Sequence, residues 1–416
     1  MKIAILNISD RSGGSGIAAY RTAEALKKYH GHEIFFLVRT KTLDQANIFQ
    51  TAGNGFKAKL ERLFNIGMNL LGLQYVWLPF SPWFILNKLE EIKPDVVWIN
   101  NTVGGYFMTS HIRTIAKKYK VVWTLHDMWA FTANGAHTFG DESWKQLKAG
   151  KGERKIYPTI GLPLGNWLIR RKQRLFKDVD FTVVVPSTWM YDMAVQSPVL
   201  KGKRIELIPH GIDLDKFKPL DKAAMKEKYG IPRDAKTIAF IAQRLKGNFF
   251  KGGSDLYDIL KHLNEQTTFP IHLLLMGEDS MPELNAFQNL IVHPMGYVKE
   301  EEKMVEILNA TDVFVYPTRA DNFPLVLLES IACGVPVVTY NVGGCGDIIK
   351  EKISGHLVDY SDYKNASLLI LDLILNISSR LHLADSTRLF CSSSFSEQKI
   401  NEEYLVVFKS AKKSPL

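Results

Sequence analysis

Short apolar runs alternate along the chain with longer amphipathic stretches. Ile3–Ile8, Ile34–Val38, Val96–Ile99, Val121–Leu125 and Phe181–Val185 have the length and β-branched content of buried strands. Between them, Ile17–Tyr29 and Phe107–Tyr119 carry helical spacing. The alternation then restarts. Thr237–Ile241, His272–Met276, Asp312–Tyr316 and Pro336–Thr339 read as strands, separated by helices at Ser254–Asn264, Glu300–Asn309 and Leu325–Ala332. Near-continuous apolar strands alternating with helices predict mostly parallel, doubly wound α/β sheets. Between the halves lies Ile208–Pro219 (IPHGIDLDKFKP), whose Pro and Gly suit a linker. The expected organisation is therefore two Rossmann-like domains, 1–207 and 220–395, a linker at 208–219, and a final helix at 396–416. Ligands of such sheets bind at the carboxyl ends of the strands. Two such domains facing each other would hold the ligand in the cleft between them.

Composition narrows the class. The 416 residues are 46% hydrophobic and 23% charged, ordinary for a globular protein and incompatible with a disordered, collagen-like or coiled-coil chain. Cys333, Cys345 and Cys391 are too few and too scattered for a disulfide framework or a zinc knuckle, and their odd number suits a reducing cytoplasm. The opening MKIAILNISDRSGGSG runs from a short apolar stretch into polar loop chemistry, which predicts a first strand and not a signal peptide. Residues 63–87 carry no charge and are mostly apolar, but Pro79, Pro82, Asn65, Asn69 and Gln74 argue against a spanning helix. They predict a core helix followed by a loop, or else a surface touching a bilayer interface, where Trp and Tyr are favoured.

The net charge of +9 is unevenly spread. From Lys145 to Lys177 basic residues crowd together and Glu153 is the only acid. The stretch reads as a solvated face, or as a holder of anionic lipid or of a pyrophosphate-bearing acceptor. No nucleic-acid motif accompanies it, so nucleic acid is not an expected partner.

The densest chemistry lies in Asp312–Ile349, DVFVYPTRADNFPLVLLESIACGVPVVTYNVGGCGDII. A strand ends in a loop, and a helix opens at Pro324, a residue preorganised for a first helical turn. Amides around Phe323, Leu325 and Val326, with the helix dipole, would form a seat for a diphosphate. Asp321 and Glu329, one on the loop and one on the helix, could hold the hydroxyls of a sugar and a ribose; alternatively they are an N-cap acid and a surface helix acid. Near the N-terminus, the glycine-rich segment Ser12–Gly16 would let the backbone approach a ligand closely. Gly14–Ala19 also fits the dinucleotide fingerprint G-x-G-x-x-A, with Arg39 at the end of the second strand where a reader of a 2′-phosphate could sit. Asp213 and Asp215 belong to the linker and not to a metal site; His137 and His210 read as loop and turn residues, and Cys333 and Cys345 as packing.

The segment Asp321-x7-Glu329, Gly334-Val335-Pro336-Val337-Val338, Gly343-Gly344 resembles the signature of the retaining glycosyltransferases of family 4, which have the GT-B fold. Asp321 stands where the family more often has Glu. AQRLKGNFFKGG resembles the family's Arg…Lys-Gly pair at Arg244 and Lys251, with wider spacing, so Lys246 competes for the role of Lys251. HGID at 210–213 resembles the Asn-Gly-Ile-Asp linker, and TLHDMWAFT at 124–132 places His126 where the family has a histidine near the donor sugar. The subgroup sharing WTLHDMW and DNFP is that of colanic-acid and capsular-polysaccharide biosynthesis. Its frequent cysteine cluster after HDMW has no counterpart between His126 and Lys177.

The resemblance implies two Rossmann-like domains across a cleft, with the C-terminal helix returning to the N-terminal domain. It implies transfer, with retention, of a hexose-type sugar from a UDP- or GDP-sugar to a glycan or polyprenyl-diphosphate-linked acceptor. The setting would be the cytoplasm, with peripheral contact to the anionic inner face of the membrane. His126, Arg244, Lys251, Asp321 and Glu329 would be catalytic, and Gly14, Gly16, Lys246, Gly277, Tyr297, Val298, Asn322, Phe323, Pro324 and Leu325 would bind the donor. No cofactor and no metal is expected. The competing readings are an NADP-dependent oxidoreductase, a GT-B sugar-nucleotide epimerase and a non-catalytic nucleotide-sugar binder.

Overall fold

The structure is a computed structural model that describes residues 1–53, 55–241, 252–277 and 281–414. The chain divides into two compact units, Met1–Gly211 with Gln398–Leu416, and Ile212–Glu397.

In the first unit the strands are β1 (Lys2–Ser9), β2 (Glu33–Thr40), β3 (Ile48–Gln50), β4 (Val96–Ile99), β5 (Lys120–Thr124), β6 (Thr182–Val185) and β7 (Arg204–Leu207). They form one parallel sheet in the order β3-β2-β1-β4-β5-β6-β7. The chain builds outward from β1 to β3, then returns to lay β4 on the other side of β1. The topological switch point, where crossover loops diverge and leave a crevice, therefore lies between β1 and β4. Both faces are covered by helices, and β4 (VVWI) is buried throughout. Helix Glu397–Ser410 contributes to one face: Tyr404 and Phe408 lie 5.1 and 5.6 Å from the ring of Trp98 in β4.

In the second unit the strands are β8 (Lys236–Ile241), β9 (Ile271–Met276), β10 (Leu290–Gly296), β11 (Val313–Tyr316), β12 (Val337–Tyr340) and β13 (Gly355–Val358). They are again parallel, ordered β10-β9-β8-β11-β12-β13, with the switch point between β8 and β11. At the amino end of β11, buried Asp312 accepts from Lys226 (2.9 Å) and from the Thr237 hydroxyl (2.9 Å). Burial alone would raise its pKa, but Lys222, Lys226 and Arg380 outweigh that and hold it well below the usual carboxylate range. This ion cluster anchors the strand at the edge away from the strands' carboxyl ends.

The structure differs from the pattern-based expectations in several places. The strands β3, β7, β10 and β13 are additional. The glycine-rich segment is not a free loop: helix Gly13–His30 begins within it, so Gly14 and Gly16 lie in its first turn. Helix Leu325–Ala332 has the expected bounds, but Pro324 is its N-cap and not a residue of its first turn. The helix expected at Phe107–Tyr119 spans only His111–Lys118. The uncharged region 63–87 runs from the end of helix Phe56–Leu70 through a loop into helix Ser81–Ile92, and the first helix is not a core helix: Glu61 is its one buried residue. The three cysteines are buried free thiols, as packing residues would be.

Candidate functional site

In the first unit, candidate residues gather at the carboxyl edge beside the β1/β4 switch point. The loop after β1 is pinned by Asp10, whose buried carboxylate accepts from the backbone amides of Leu43 (2.8 Å) and Thr42 and from the Thr42 hydroxyl (2.7 Å). Burial alone would raise the Asp10 pKa; those hydrogen bonds more than offset it. Asn7 ties the same turn to β4: its side-chain amide donates to the Ser15 carbonyl (3.2 Å), and its oxygen accepts from the Asn101 amide (3.2 Å). A β-carbon at Gly16 would stand 3.3 Å from the Arg11 carbonyl carbon, so Gly16 permits the close turn, whereas space around Gly14 is open. Arg39 donates to the Gly104 carbonyl, tying the end of β2 to the segment after β4.

His126 follows β5. Its Nε2 lies 3.0 Å from Oδ1 of Asn100, which follows β4. An amide oxygen only accepts, so Nε2 carries the proton and Nδ1 is left as an acceptor. The imidazole of His210 stacks on His126 at 5.3 Å, so the turn residue of the linker motif also belongs to this cluster. Burial holds His126 down to about 4, and His210 well below its ordinary value, so both rings are neutral near pH 7. The side-chain nitrogen of Asn100 is buried and finds no partner among the described residues.

The HDMW segment is held from behind. Asp127 caps the 3₁₀ turn Met128–Ala130, accepting from the Trp129 amide at 2.9 Å. The buried ammonium of Lys172 sits 3.7 Å from the Trp129 ring centre and donates to the carbonyls of Trp129, Thr132 and Ala133. Burial pushes Lys172 down to about 7 and Asp127 up to about 6. Lys172 thus leaves the basic stretch of the sequence to become an internal prop.

In the second unit, the candidate donor residues lie at the carboxyl ends of its strands. After β11, Asp321 is clamped on two sides: Tyr316 donates its hydroxyl to Oδ2 (3.0 Å), and the Gly344 amide donates to the Asp321 carbonyl (3.0 Å). Asn322 is partly buried beside it. Phe323 turns its ring into the core against Phe395, 5.9 Å away, leaving its backbone to serve the edge. Among the described residues no side chain caps the first turn of helix Leu325–Ala332. Its amides therefore form an uncapped, dipole-favoured seat for negative charge. Glu329, on the second turn, is 7% exposed. Two strands away, the Gly277 amide donates to the Gly296 carbonyl (2.9 Å), joining the ends of β9 and β10; Tyr297 follows, largely exposed, while Val298 packs against the core.

Arg244, Lys246 and Lys251 lie outside the described residues. The next residue, Gly252, is tight against β11: a β-carbon there would meet the Pro317 carbonyl oxygen at 1.8 Å. Arg319 pairs with Asp255 at 2.6 Å, tying the β11 loop to the start of helix Gly253–Gln266.

Sequence reasoning missed Asn100, Asp10, Arg319 and the involvement of His210. Strand-end position beside a switch point was the only available signal for Asn100, because its partner His126 lies on a different strand. Asp213 sits in its own turn, accepting from the amides of Asp215 (2.9 Å) and Lys216 (3.1 Å).

Two doubly wound parallel sheets carried by one chain, with a C-terminal helix rejoining the first, are the architecture of the GT-B glycosyltransferases. The solved sucrose-phosphate synthase of Thermosynechococcus elongatus matches 98% of each chain at a TM-score of 0.71 and 16% identity. Anabaena HepE in complex with UDP-glucose matches 99% of this chain and 100% of that one, with a TM-score of 0.65 and 14% identity. The model of Glycosyltransferase Family 4 matches residues 12–216, and that of Glycosyl transferases group 1 matches residues 221–390. The chain belongs to glycosyltransferase family 4. A D-inositol 3-phosphate glycosyltransferase of Xylanimonas cellulosilytica is 32% identical over 177 residues, 38% of this chain and 40% of that protein. The putative colanic acid biosynthesis glycosyl transferase WcaC of Escherichia coli is 28% identical over 235 residues, 56% of this chain and 54% of that one. The chain thus spans about half the length, or less, of these curated relatives.

Proposed function

We infer that this glycosyltransferase moves a hexose-type sugar, with retention, from a nucleoside-diphosphate sugar to a glycan or lipid-linked glycan of a surface polysaccharide. The observation that carries the reading is the clamped Asp321 loop running into an uncapped helix start beside the β8/β11 switch point. A sugar and a diphosphate need adjacent carboxylate and amide donor-acceptor surfaces of that kind. HepE, which shares the fold, holds UDP-glucose, and this supports a UDP-sugar donor. The resemblance to WcaC supports the polysaccharide setting.

Each residue then has a task. Asp321 accepts from donor-sugar hydroxyls, and Glu329 accepts from the ribose. The amides at Phe323–Leu325, with Arg244 and Lys251 or Lys246, stabilise charge on the departing diphosphate, so no metal is required. Neutral His126 offers Nδ1 to a sugar hydroxyl. The bond from the anomeric carbon to the diphosphate oxygen breaks. A bond to the acceptor hydroxyl forms on the same face, and the acceptor's proton passes to a donor phosphate oxygen.

Thermal shift with UDP, GDP, ADP and NADPH tests this reading. Ligand at a hundredfold excess over Kd stabilises by about 2.7 kcal/mol. The expected result is a shift with one nucleoside diphosphate that disappears in Glu329→Ala. A shift with NADPH alone would overturn the reading in favour of the oxidoreductase.

A further inference from the structure

Helix Phe56–Leu70 is mounted with its apolar side outward. Phe56, Leu60, Leu63, Phe64, Leu70 and Leu71 stand three, four or seven residues apart, which gathers them into one stripe. All are exposed, Phe56 by 78%, Leu63 by 66% and Leu70 by 63%. The polar side faces the protein. Glu61 is buried and accepts from the Phe80 and Ser81 amides (3.1 and 2.8 Å), capping the next helix. Asn65 packs so closely on Gly105 that a β-carbon there would stand 2.4 Å from its Cγ. The stripe is therefore fixed outward by inward polar bonding. Exposed Lys57, Lys59 and Arg62 flank it.

The surface continues beyond the helix. Trp77 lies edge-on to Phe64 at 4.6 Å. The backbone of Gly161 and Leu162 donates to the Asn69 and Leu70 carbonyls (2.8 and 2.9 Å), bringing exposed Leu162 alongside the end of the stripe. That segment leads directly into helix Gly165–Lys177, where exposed Trp167 is accompanied by Arg170, Arg171 and Arg174. Glu61 is the only acid in 55–71 and Glu153 the only acid in 145–177, and both are buried. The charged side chains that these two segments expose are thus all cationic.

We propose that this face docks the protein on an anionic lipid bilayer, the apolar stripe entering the headgroup–acyl boundary and the basic rim engaging lipid phosphates. An apolar stripe edged by Lys and Arg, with Trp at its margin, is the chemistry of an interfacial helix. Two copies meeting through this face would oppose rims of like charge, which disfavours a second copy as occupant. A bilayer bearing anionic headgroups supplies both the apolar layer and the opposite charge. The docking needs neither nucleotide nor acceptor, so it stands apart from the transfer reading.

The test is flotation of the full chain with phosphatidylcholine vesicles and with phosphatidylcholine–phosphatidylglycerol vesicles, in parallel with sedimentation velocity without lipid. The wild type should float with the anionic vesicles and bind the neutral ones much more weakly. Leu63→Glu/Leu70→Glu and Lys59→Glu/Arg62→Glu should each weaken binding to the anionic vesicles on the order of tenfold or more. Both pairs are exposed, so the melting temperature should be unchanged, and this separates lost docking from lost folding. No flotation of the wild type, or flotation that neither variant reduces, would overturn the proposal. So would a wild-type dimer that Leu63→Glu/Leu70→Glu converts to monomer, since a second copy would then be the occupant.

Discussion

Gly343 lies against the carbonyl oxygen of Asp321 so closely that a β-carbon at position 343 would stand 1.9 Å from it. Gly343 also has φ +54°, in the left-handed region. Alanine there must push the Asp321 loop away. Gly343→Ala is expected to cost roughly 1–3 kcal/mol in stability, the scale of a strained non-glycine backbone. It should also lower transfer more than it lowers nucleotide affinity, because the sugar-side carboxylate moves. Chemical denaturation with steady-state kinetics checks both; a variant with full stability and turnover would show that the loop has slack.

Asn100 fixes the protonated nitrogen of His126 from a neighbouring strand. Asn100→Ala removes that acceptor and leaves a buried N–H unpaired, a loss of about 1–3 kcal/mol. Turnover should fall by about tenfold or more, with nucleotide affinity little changed. Nitrogen-15 chemical shifts of the imidazole should show the tautomer becoming mixed. An unaltered tautomer would remove Asn100 from this role.

Burial that depresses the two stacked histidines makes a signed pH prediction. Between about pH 6.5 and 4 the unfolded chain binds protons that folded His126 refuses, so stability falls as pH drops, by at most about 1.4 kcal/mol per pH unit for one group. Asp127, raised by burial to about 6, acts with the opposite sign, losing stability as pH rises from about 4 to 6. Comparing wild type with His126→Asn isolates the histidine. The stability advantage of wild type should shrink on acidification from pH 6.5 to 4.5, and an advantage constant across that window would show that the imidazole stays solvated.

Arg244→Ala should lower kcat by roughly 10²–10³, the effect of losing one donor aimed at developing charge. Lys246→Ala and Lys251→Ala measured beside it should separate the two lysines: the one that holds the diphosphate should raise the Kd for the nucleoside diphosphate, and the other should leave it unchanged.

The Asp321–Glu329 segment was legible because its loop, helix start and strand are consecutive in the chain. The strands that escaped notice are those that local pattern marks poorly. β3 has three residues, β7 is a partly exposed edge strand with Arg and Glu, and β10 is an edge strand interrupted by Pro294. The uncharged run 63–87 predicted a core helix because composition does not say which side of a helix faces inward; that depended on Glu61 finding the amides of Phe80 and Ser81. His210 resembled a turn residue because its partner ring is His126, distant in sequence and near only in the fold.

Ile212 and Glu397, the two ends of the second unit, are hydrogen-bonded neighbours: the Ile212 amide donates to the Phe395 carbonyl (2.9 Å) and the Glu397 amide to the Ile212 carbonyl (3.0 Å). The second unit is thus an insertion whose entrance and exit share one doorway. Cutting the chain at Gly211 would not yield the first unit, because it strips Tyr404 and Phe408 from Trp98. A short linker from Gly211 to Gln398 would restore that cover, and the excised 212–397 segment would begin and end at adjacent points. The two units can therefore be exchanged between relatives only as an insert and a host, with two junctions matched at once.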